Sequence, residues 1–189
     1  MNLPNTLTLV RIFLAPLLVV FLIANAEPRN YPAAAIFLAA VFTDWLDGRI
    51  ARSRQQVTTL GQLLDPIADK LLIAAALISL VEIGRVPAWV VTVIVGRDIA
   101  ITGLRGIAAS QGLIIAASQL GKYKMVAEVV AVSLLILDPG TSRLPGVPMS
   151  LGGFAVGVAV ILSTVSGIDY FARFWRQLGL EGAVRSKGD

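Results

Sequence analysis

Four aspartates lie inside two stretches that are otherwise apolar enough for a lipid bilayer, Asp44-Trp45-Leu46-Asp47-Gly48-Arg49-Ile50-Ala51-Arg52 and Gly61-Gln62-Leu63-Leu64-Asp65-Pro66-Ile67-Ala68-Asp69. A charge at the centre of a spanning helix costs roughly 2.5–3.5 kcal/mol on insertion scales, so four uncompensated charges cost on the order of 10 kcal/mol. Such a cluster cannot face lipid. It requires a cation, a water-filled cavity or both, and so a fold in which these stretches turn their acidic faces away from the bilayer.

The rest of the chain is apolar in the same way. Of its 189 residues, 56% are hydrophobic and 15% charged, whereas a soluble domain carries about 25% charged residues. The mean hydropathy is +0.79. The excess is divided into separate runs, which predicts an all-α, polytopic membrane protein with about six spans in one bundle. The runs are Thr6–Ile23, Pro32–Arg52, Gly61–Val81, Pro87–Arg105, Gly121–Leu137 and Met149–Tyr170. Turn residues separate them at Glu27-Pro28-Arg29-Asn30, at Glu82-Ile83-Gly84-Arg85, and from Asp138-Pro139-Gly140 to Pro148. Thr6–Ile23 contains Arg11 and has no small-residue cleavage site behind a basic head, so it reads as a retained span. No polar stretch is long enough for a soluble domain. Residues 1–189 are expected to form one transmembrane domain, with a polar tail at 173–189 that continues the last helix.

Charge sets the orientation. One side receives Arg29, Arg85 and Arg143; the other receives Arg52, Arg54, Arg105, Lys122, Lys124 and the basic residues of the tail. The positive-inside rule places both termini and the aspartate-bearing span ends in the cytoplasm, and the chain in the inner (cytoplasmic) membrane. Basic residues at span ends are topogenic, so the net charge of +4 does not point to nucleic acid. The chain has no cysteine and no histidine, which excludes disulfides, thiolate nucleophiles, imidazole bases and the usual zinc sets. Any metal must be held by oxygen, which favours Mg²⁺ or Mn²⁺.

Residues three or four apart share a helix face. Asp44, Asp47, Gly48, Ala51 and Arg52 form one stripe, and Gly61, Asp65 and Asp69 form another. A short connection around Gln55–Leu60 makes the two helices antiparallel neighbours. Four carboxylates on facing stripes suit a pair of divalent cations. Gly48, Ala51 and Gly61 allow a bulky ligand near the backbone, and Arg52 offers a fork of donors to a phosphate. The plain alternative is ion pairing with Arg49, Arg52 or Lys70, but four acids exceed the bases on those faces. Pro66 belongs near the start of its span or at a kink. Arg11 either reaches the cavity or snorkels to the interface. Asn5 and Thr8 are candidates to cap the first helix and to touch a nucleotide.

The pattern Asp-x2-Asp-Gly-x2-Ala-Arg-x8-Gly-x3-Asp-x3-Asp over Asp44–Asp69 resembles, without a gap, the signature of the CDP-alcohol phosphotransferases. The six-span layout extends the resemblance over essentially the whole chain. It implies a Mg²⁺- or Mn²⁺-dependent transfer, with two cations per site, from CDP-diacylglycerol to an alcohol, releasing CMP. By matching positions, Asp44, Asp47, Asp65 and Asp69 hold the metals. Gly48, Ala51, Arg52 and Gly61 line the nucleotide site, and Asp69 is the general base. The resemblance also implies membrane lipids as surroundings and a homodimer. Gly153-Phe154-Ala155-Val156-Gly157 fits close helix packing, within the bundle or between subunits.

For the acceptor, Gly96-Arg97-Asp98 through Leu104-Arg105, then Gly121-Lys122-Tyr123-Lys124, resemble the phosphatidylglycerophosphate synthase branch, as does the opening from Asn2 to Arg11. This implies sn-glycerol 3-phosphate, its phosphate held by Arg97, Arg105, Lys122 and Lys124. The plain alternatives are topogenic charge for the lysines and a local pair with Asp98 for Arg97. The chain departs from the branch at Met125 and Glu128, where Thr and Gln are common. Glu128 adds a carboxylate that either pairs with a lysine or alters the acceptor. Inositol phosphate, or phosphatidylglycerol as in cardiolipin synthesis, are the other acceptors weighed. A divalent-cation transporter is the reading from another class; paired, interrupted halves mark many transporters, whereas here all four acids fall in one half.

Overall fold

The helices end where the sequence supplies turn chemistry. The computed structural model describes the backbone of residues 3–24, 30–54, 59–112, 118–137 and 150–185, and the side chains of 8–24, 30–43, 67–112, 118–137 and 150–177. Among these residues the protein is all-helical, with six α-helices and no sheet: α1 Leu3–Ala24, α2 Tyr31–Arg54, α3 Thr59–Glu82, α4 Ala88–Ser110, α5 Gln119–Leu137 and α6 Leu151–Arg185. Each covers one apolar run identified above. α1 already begins at Leu3, so Asn5 and Thr8 lie inside the helix and neither is its cap. α3 runs continuously through Pro66, and α6 continues well beyond Tyr170, as the tail predicts.

Local chemistry explains several of these boundaries. The Asn30 side chain accepts from the Ala33 N–H at 3.0 Å, capping α2, and donates to the Phe21 carbonyl of α1 at 2.7 Å. α3 closes on a Schellman cap, with Gly84 at φ +71°. Its N–H donates to Val81 O at 2.9 Å, and Arg85 N–H donates to Leu80 O at 2.8 Å. The Arg85 guanidinium then donates to the carbonyls of Leu135 and Ile136, at 2.7 and 3.0 Å, near the end of α5. Ser118 and Ser150 cap α5 and α6, accepting from the N–H groups of Gly121 and Gly153.

α1 packs on α2 and α3, α5 packs on α6, α2 and α3, and α4 lies against α6 and α3. The core is built from Leu18, Leu22, Phe37, Leu72, Leu77 and Ile136, with alanines such as Ala33, Ala76 and Ala131 where helices approach. The close approaches of α6 occur at Gly152, where a Cβ would stand 3.1 Å from Leu135, and at Gly167, 3.0 Å from Arg97. A Cβ on Gly157 would meet nothing within 4 Å among the described residues. Arg11 is 1% exposed and does not snorkel.

Among the described residues, one stretch, Leu151–Gln177, is long and apolar enough by length and composition to cross a membrane. Thr8–Ala24 and Tyr31–Thr43 are shorter apolar helical stretches. In α4 and α5 the apolar run is interrupted by Arg97, Asp98, Arg105, Lys122, Lys124 and Glu128. Those residues converge in space, as described below.

Asn30 joins three helix ends, because its backbone N–H also donates to Ile136 O at 3.4 Å. Asn30→Ala is expected to lose the cap and the tie to α1, costing about 2 kcal/mol. Thermal unfolding in detergent, compared with the wild type, measures this.

Candidate functional site

The bundle alternates in direction. The first half of α3, the second half of α4, the first half of α5 and the second half of α6 therefore lie at one end. There α3, α4 and α5, with Ser118 before α5, line a cavity of about 230 Å³ whose wall carries Asp69, Lys70, Arg97, Arg105, Lys122 and Lys124, together with Asp98 and Glu128. Five basic and three acidic side chains thus share one small space inside an apolar bundle. All four basic residues singled out in the sequence line it, and Asp69 is on the same wall.

The cations are not equivalent. Lys124 is buried, and its ammonium group lies 2.6 Å from both Asp98 carboxylate oxygens and 2.7 Å from Glu128 Oε2. Arg97 donates from Nη1 to Asp98 Oδ1 at 2.9 Å and from Nη2 to Ser166 Oγ at 2.9 Å. Ser166 in turn donates to Ser163 O at 3.1 Å. Gly167 makes room for the Arg97 stem; a larger residue there meets the side chain directly. Asp98 thereby gathers two bases from two helices, and both charges of each pair are largely removed from solvent.

Arg105 and Lys122 differ. The Arg105 guanidinium stacks over the Tyr170 ring, 5.3 Å from its centroid. Among the described residues neither Arg105 nor Lys122 has a carboxylate within ion-pair distance. Both are exposed at the cavity. Of the four expected phosphate holders, Arg105 and Lys122 are the two most available to an anion, because the three ammonium protons of Lys124 are already engaged by carboxylates. Arg97 shows the local pair weighed as its alternative. Glu128 pairs with a lysine.

Asp44 and Asp47 lie one turn apart on α2, and Asp65 and Asp69 one turn apart on α3. The two helices are in contact. The side chains of Asp44, Asp47, Asp65, Gly48, Ala51, Arg52, Gly61 and Asn5 lie outside the described residues. Among the described residues no group of three or more potential ligands is placed to hold a metal. The donor chemistry of the four aspartates, oxygen only and on adjacent helices, fits a hard divalent cation. Thr8 is fully buried on α1 and does not line the cavity.

Sequence reasoning did not assign Lys70, Ser118 or Ser166 to the site. Lys70 carries the clearest signal, as the basic neighbour of the last aspartate of the motif. Ser166 could be read only as a small polar residue beside Gly167, since its partner Arg97 is 69 positions away.

Comparison with known proteins agrees with this picture. Residues 1–165 match the family model described as CDP-alcohol phosphatidyltransferase. A Bacillus subtilis protein named CDP-diacylglycerol–glycerol-3-phosphate 3-phosphatidyltransferase is 42% identical, over 94% of this chain and 97% of its own length. A Mycobacterium tuberculosis protein named as a probable phosphatidylglycerophosphate synthase is 38% identical, over 94% of this chain and 84% of its own. A rice protein named cardiolipin synthase (CMP-forming) is 34% identical, over 94% of this chain and 59% of its own.

Removing Asp98 leaves two buried cations facing each other. Asp98→Ala is expected to destabilise the fold by about 3–5 kcal/mol, read as a large fall in unfolding temperature in detergent. Lys122→Ala, which removes no observed pair, is expected to shift it by less than about 0.5 kcal/mol.

Proposed function

The chain belongs to the CDP-alcohol phosphatidyltransferase family, and from that premise we propose that it transfers the phosphatidyl group of CDP-diacylglycerol to sn-glycerol 3-phosphate. The products are phosphatidylglycerophosphate and CMP, and the reaction belongs to phospholipid biosynthesis. The observation that carries the acceptor is the cavity in which Asp69 shares a wall with Arg105 and Lys122, two cations with no carboxylate partner among the described residues. The small volume and the five bases on its wall favour a compact phosphorylated alcohol over a second phospholipid. Family membership sets aside the transporter reading.

In this reading Arg105 and Lys122 hold the acceptor's phosphate. The fork of the guanidinium takes two oxygens, and the lysine adds a point charge. Arg97 and Lys124 are paired with Asp98 and Glu128, whose charges offset theirs, so they shape the wall and leave the phosphate to Arg105 and Lys122. The acceptor's terminal hydroxyl is oriented toward Asp69. Its oxygen forms a bond to the phosphorus that bears the diacylglycerol, and the bond from that phosphorus to the CMP oxygen breaks. CMP leaves with the electron pair, and the hydroxyl proton passes to the Asp69 carboxylate. An ordinary aspartate is a weak base, so proton transfer accompanies attack rather than preceding it. Asp44, Asp47, Asp65 and Asp69 would hold Mg²⁺ or Mn²⁺, which would supply neutralising charge for the diphosphate and the departing CMP. Gly48, Ala51, Arg52 and Gly61 are assigned to the nucleotide, and Asn5 to its edge; Thr8, fully buried on α1, is not assigned there.

We place the protein as a multi-pass chain in the inner membrane, with both termini and the cavity toward the cytoplasm and, as the family implies, as a homodimer. The exterior supports this: Phe13, Phe42, Ile78, Ile99, Val126 and Ile161, one from each helix, are all exposed. An apolar residue facing outward on every helix suits a lipid solvent.

Purified protein with CDP-diacylglycerol, Mn²⁺ and a panel of alcohols is expected to release CMP with sn-glycerol 3-phosphate. Release only with inositol phosphate, or only with phosphatidylglycerol, refutes the acceptor. Asp69→Asn is expected to lower kcat by about 10²–10⁴-fold, and normal turnover in that variant removes the general-base role. Arg105→Ala is expected to raise the acceptor KM about tenfold or more while moving the donor KM by less than about twofold. Equal effects on both substrates count against a role in holding the acceptor.

A further inference from the structure

Lys124 has three ammonium protons, and three carboxylate oxygens surround it: Asp98 Oδ1, Asp98 Oδ2 and Glu128 Oε2. Both Asp98 oxygens are used. Glu128 is left with Oε1. This atom is buried and has no hydrogen-bond partner among the described residues, on a side chain only 4% exposed. The same residue lines the cavity that holds Asp69, Arg105 and Lys122. A buried acceptor without a donor is costly, whereas one beside a polar cavity is satisfied when a ligand brings the donor in.

We propose that Glu128 is a specificity-determining residue, accepting a hydrogen bond from an acceptor hydroxyl other than the one that reacts. This deepens the acceptor reading given above and rests on it. The donor must be neutral and protonated, because a carboxylate repels the ligand's phosphate, which the bases already attract. A polyol phosphate supplies such a group. In sn-glycerol 3-phosphate the terminal hydroxyl reacts and the phosphate is drawn to Arg105 and Lys122. The middle hydroxyl then remains for Glu128. One cavity thus carries a separate chemical partner for each of the three polar groups of the acceptor: Asp69, the Arg105–Lys122 pair and Glu128.

The test uses 3-hydroxypropyl phosphate, which keeps the primary hydroxyl and the phosphate but lacks the middle hydroxyl. CMP release with this compound and with sn-glycerol 3-phosphate is measured for the wild type, Glu128→Gln and Glu128→Leu. The wild type is expected to favour sn-glycerol 3-phosphate by about tenfold or more in kcat/KM. Glu128→Gln, which still offers a hydrogen-bonding group, is expected to keep most of that preference, and Glu128→Leu to reduce it to within about twofold. If Glu128→Leu lowers activity equally with both acceptors, the residue only braces Lys124 and the proposal is overturned. A wild type that uses both acceptors equally overturns it as well, whether or not either variant folds. Absence of release with both acceptors refutes the acceptor class itself. Release with sn-glycerol 3-phosphate at an unchanged ratio refutes the role of Glu128 and leaves that class standing.

Discussion

Asp98 accepts from Arg97 on its own helix and from Lys124 on α5, and the shape of the cavity depends on that double pairing. α4 packs against α6 and α3; Asp98–Lys124 ties it to α5 across the cavity. A wall joined by an ion pair can stay open where close-packed apolar side chains would fill the gap. Burying these charges is expensive, and a single pair at such depth repays little. Here the cost is offset because each group makes more than one hydrogen bond, through Ser166, Glu128 and both Asp98 oxygens.

That network also sorts residues which look alike in the sequence. Arg97, Arg105, Lys122 and Lys124 are four cations on two helices, all at the same end of the bundle. Two of them are fixed by carboxylates that offset their charge, and they brace the wall. Two remain exposed at the cavity, one steadied by the Tyr170 ring. An anion entering this space meets two cations without carboxylate partners among the described residues, in front of a wall of paired charges. Such a division lets a site bind a charged ligand without losing its own shape when the ligand leaves.

Much of the architecture was legible in the chain. Six apolar runs separated by Pro, Gly and Asn became six helices, because a helix satisfies its own backbone and Asn30, Gly84 and Pro87 mark its ends whatever lies around them. Legibility failed where the answer depended on a neighbour. Gly157 belongs to a motif with packing spacing, yet nothing lies near it among the described residues, while close contacts occur at Gly152 and Gly167, since only the position of α5 and α4 decides which face of α6 is crowded. Asn5 and Thr8 read as caps but lie within α1, which begins a turn earlier than the apolar run.

The sequence by itself determined the helix count and the absence of histidine and cysteine ligands. It also determined the carboxylate motif that marks the family, because these properties follow from composition and from spacing along one helix. Tertiary structure alone decided which cations are available to a ligand, and that Glu128, which lines the cavity, keeps one carboxylate oxygen without a donor among the described residues. Lys124 and Asp98 are 26 residues apart, and Arg97 and Ser166 are 69 apart. Charges so distant in the chain interact only once three helices bring them within 3 Å of one another, and a Coulombic pairing depends on that final distance rather than on the residues' order.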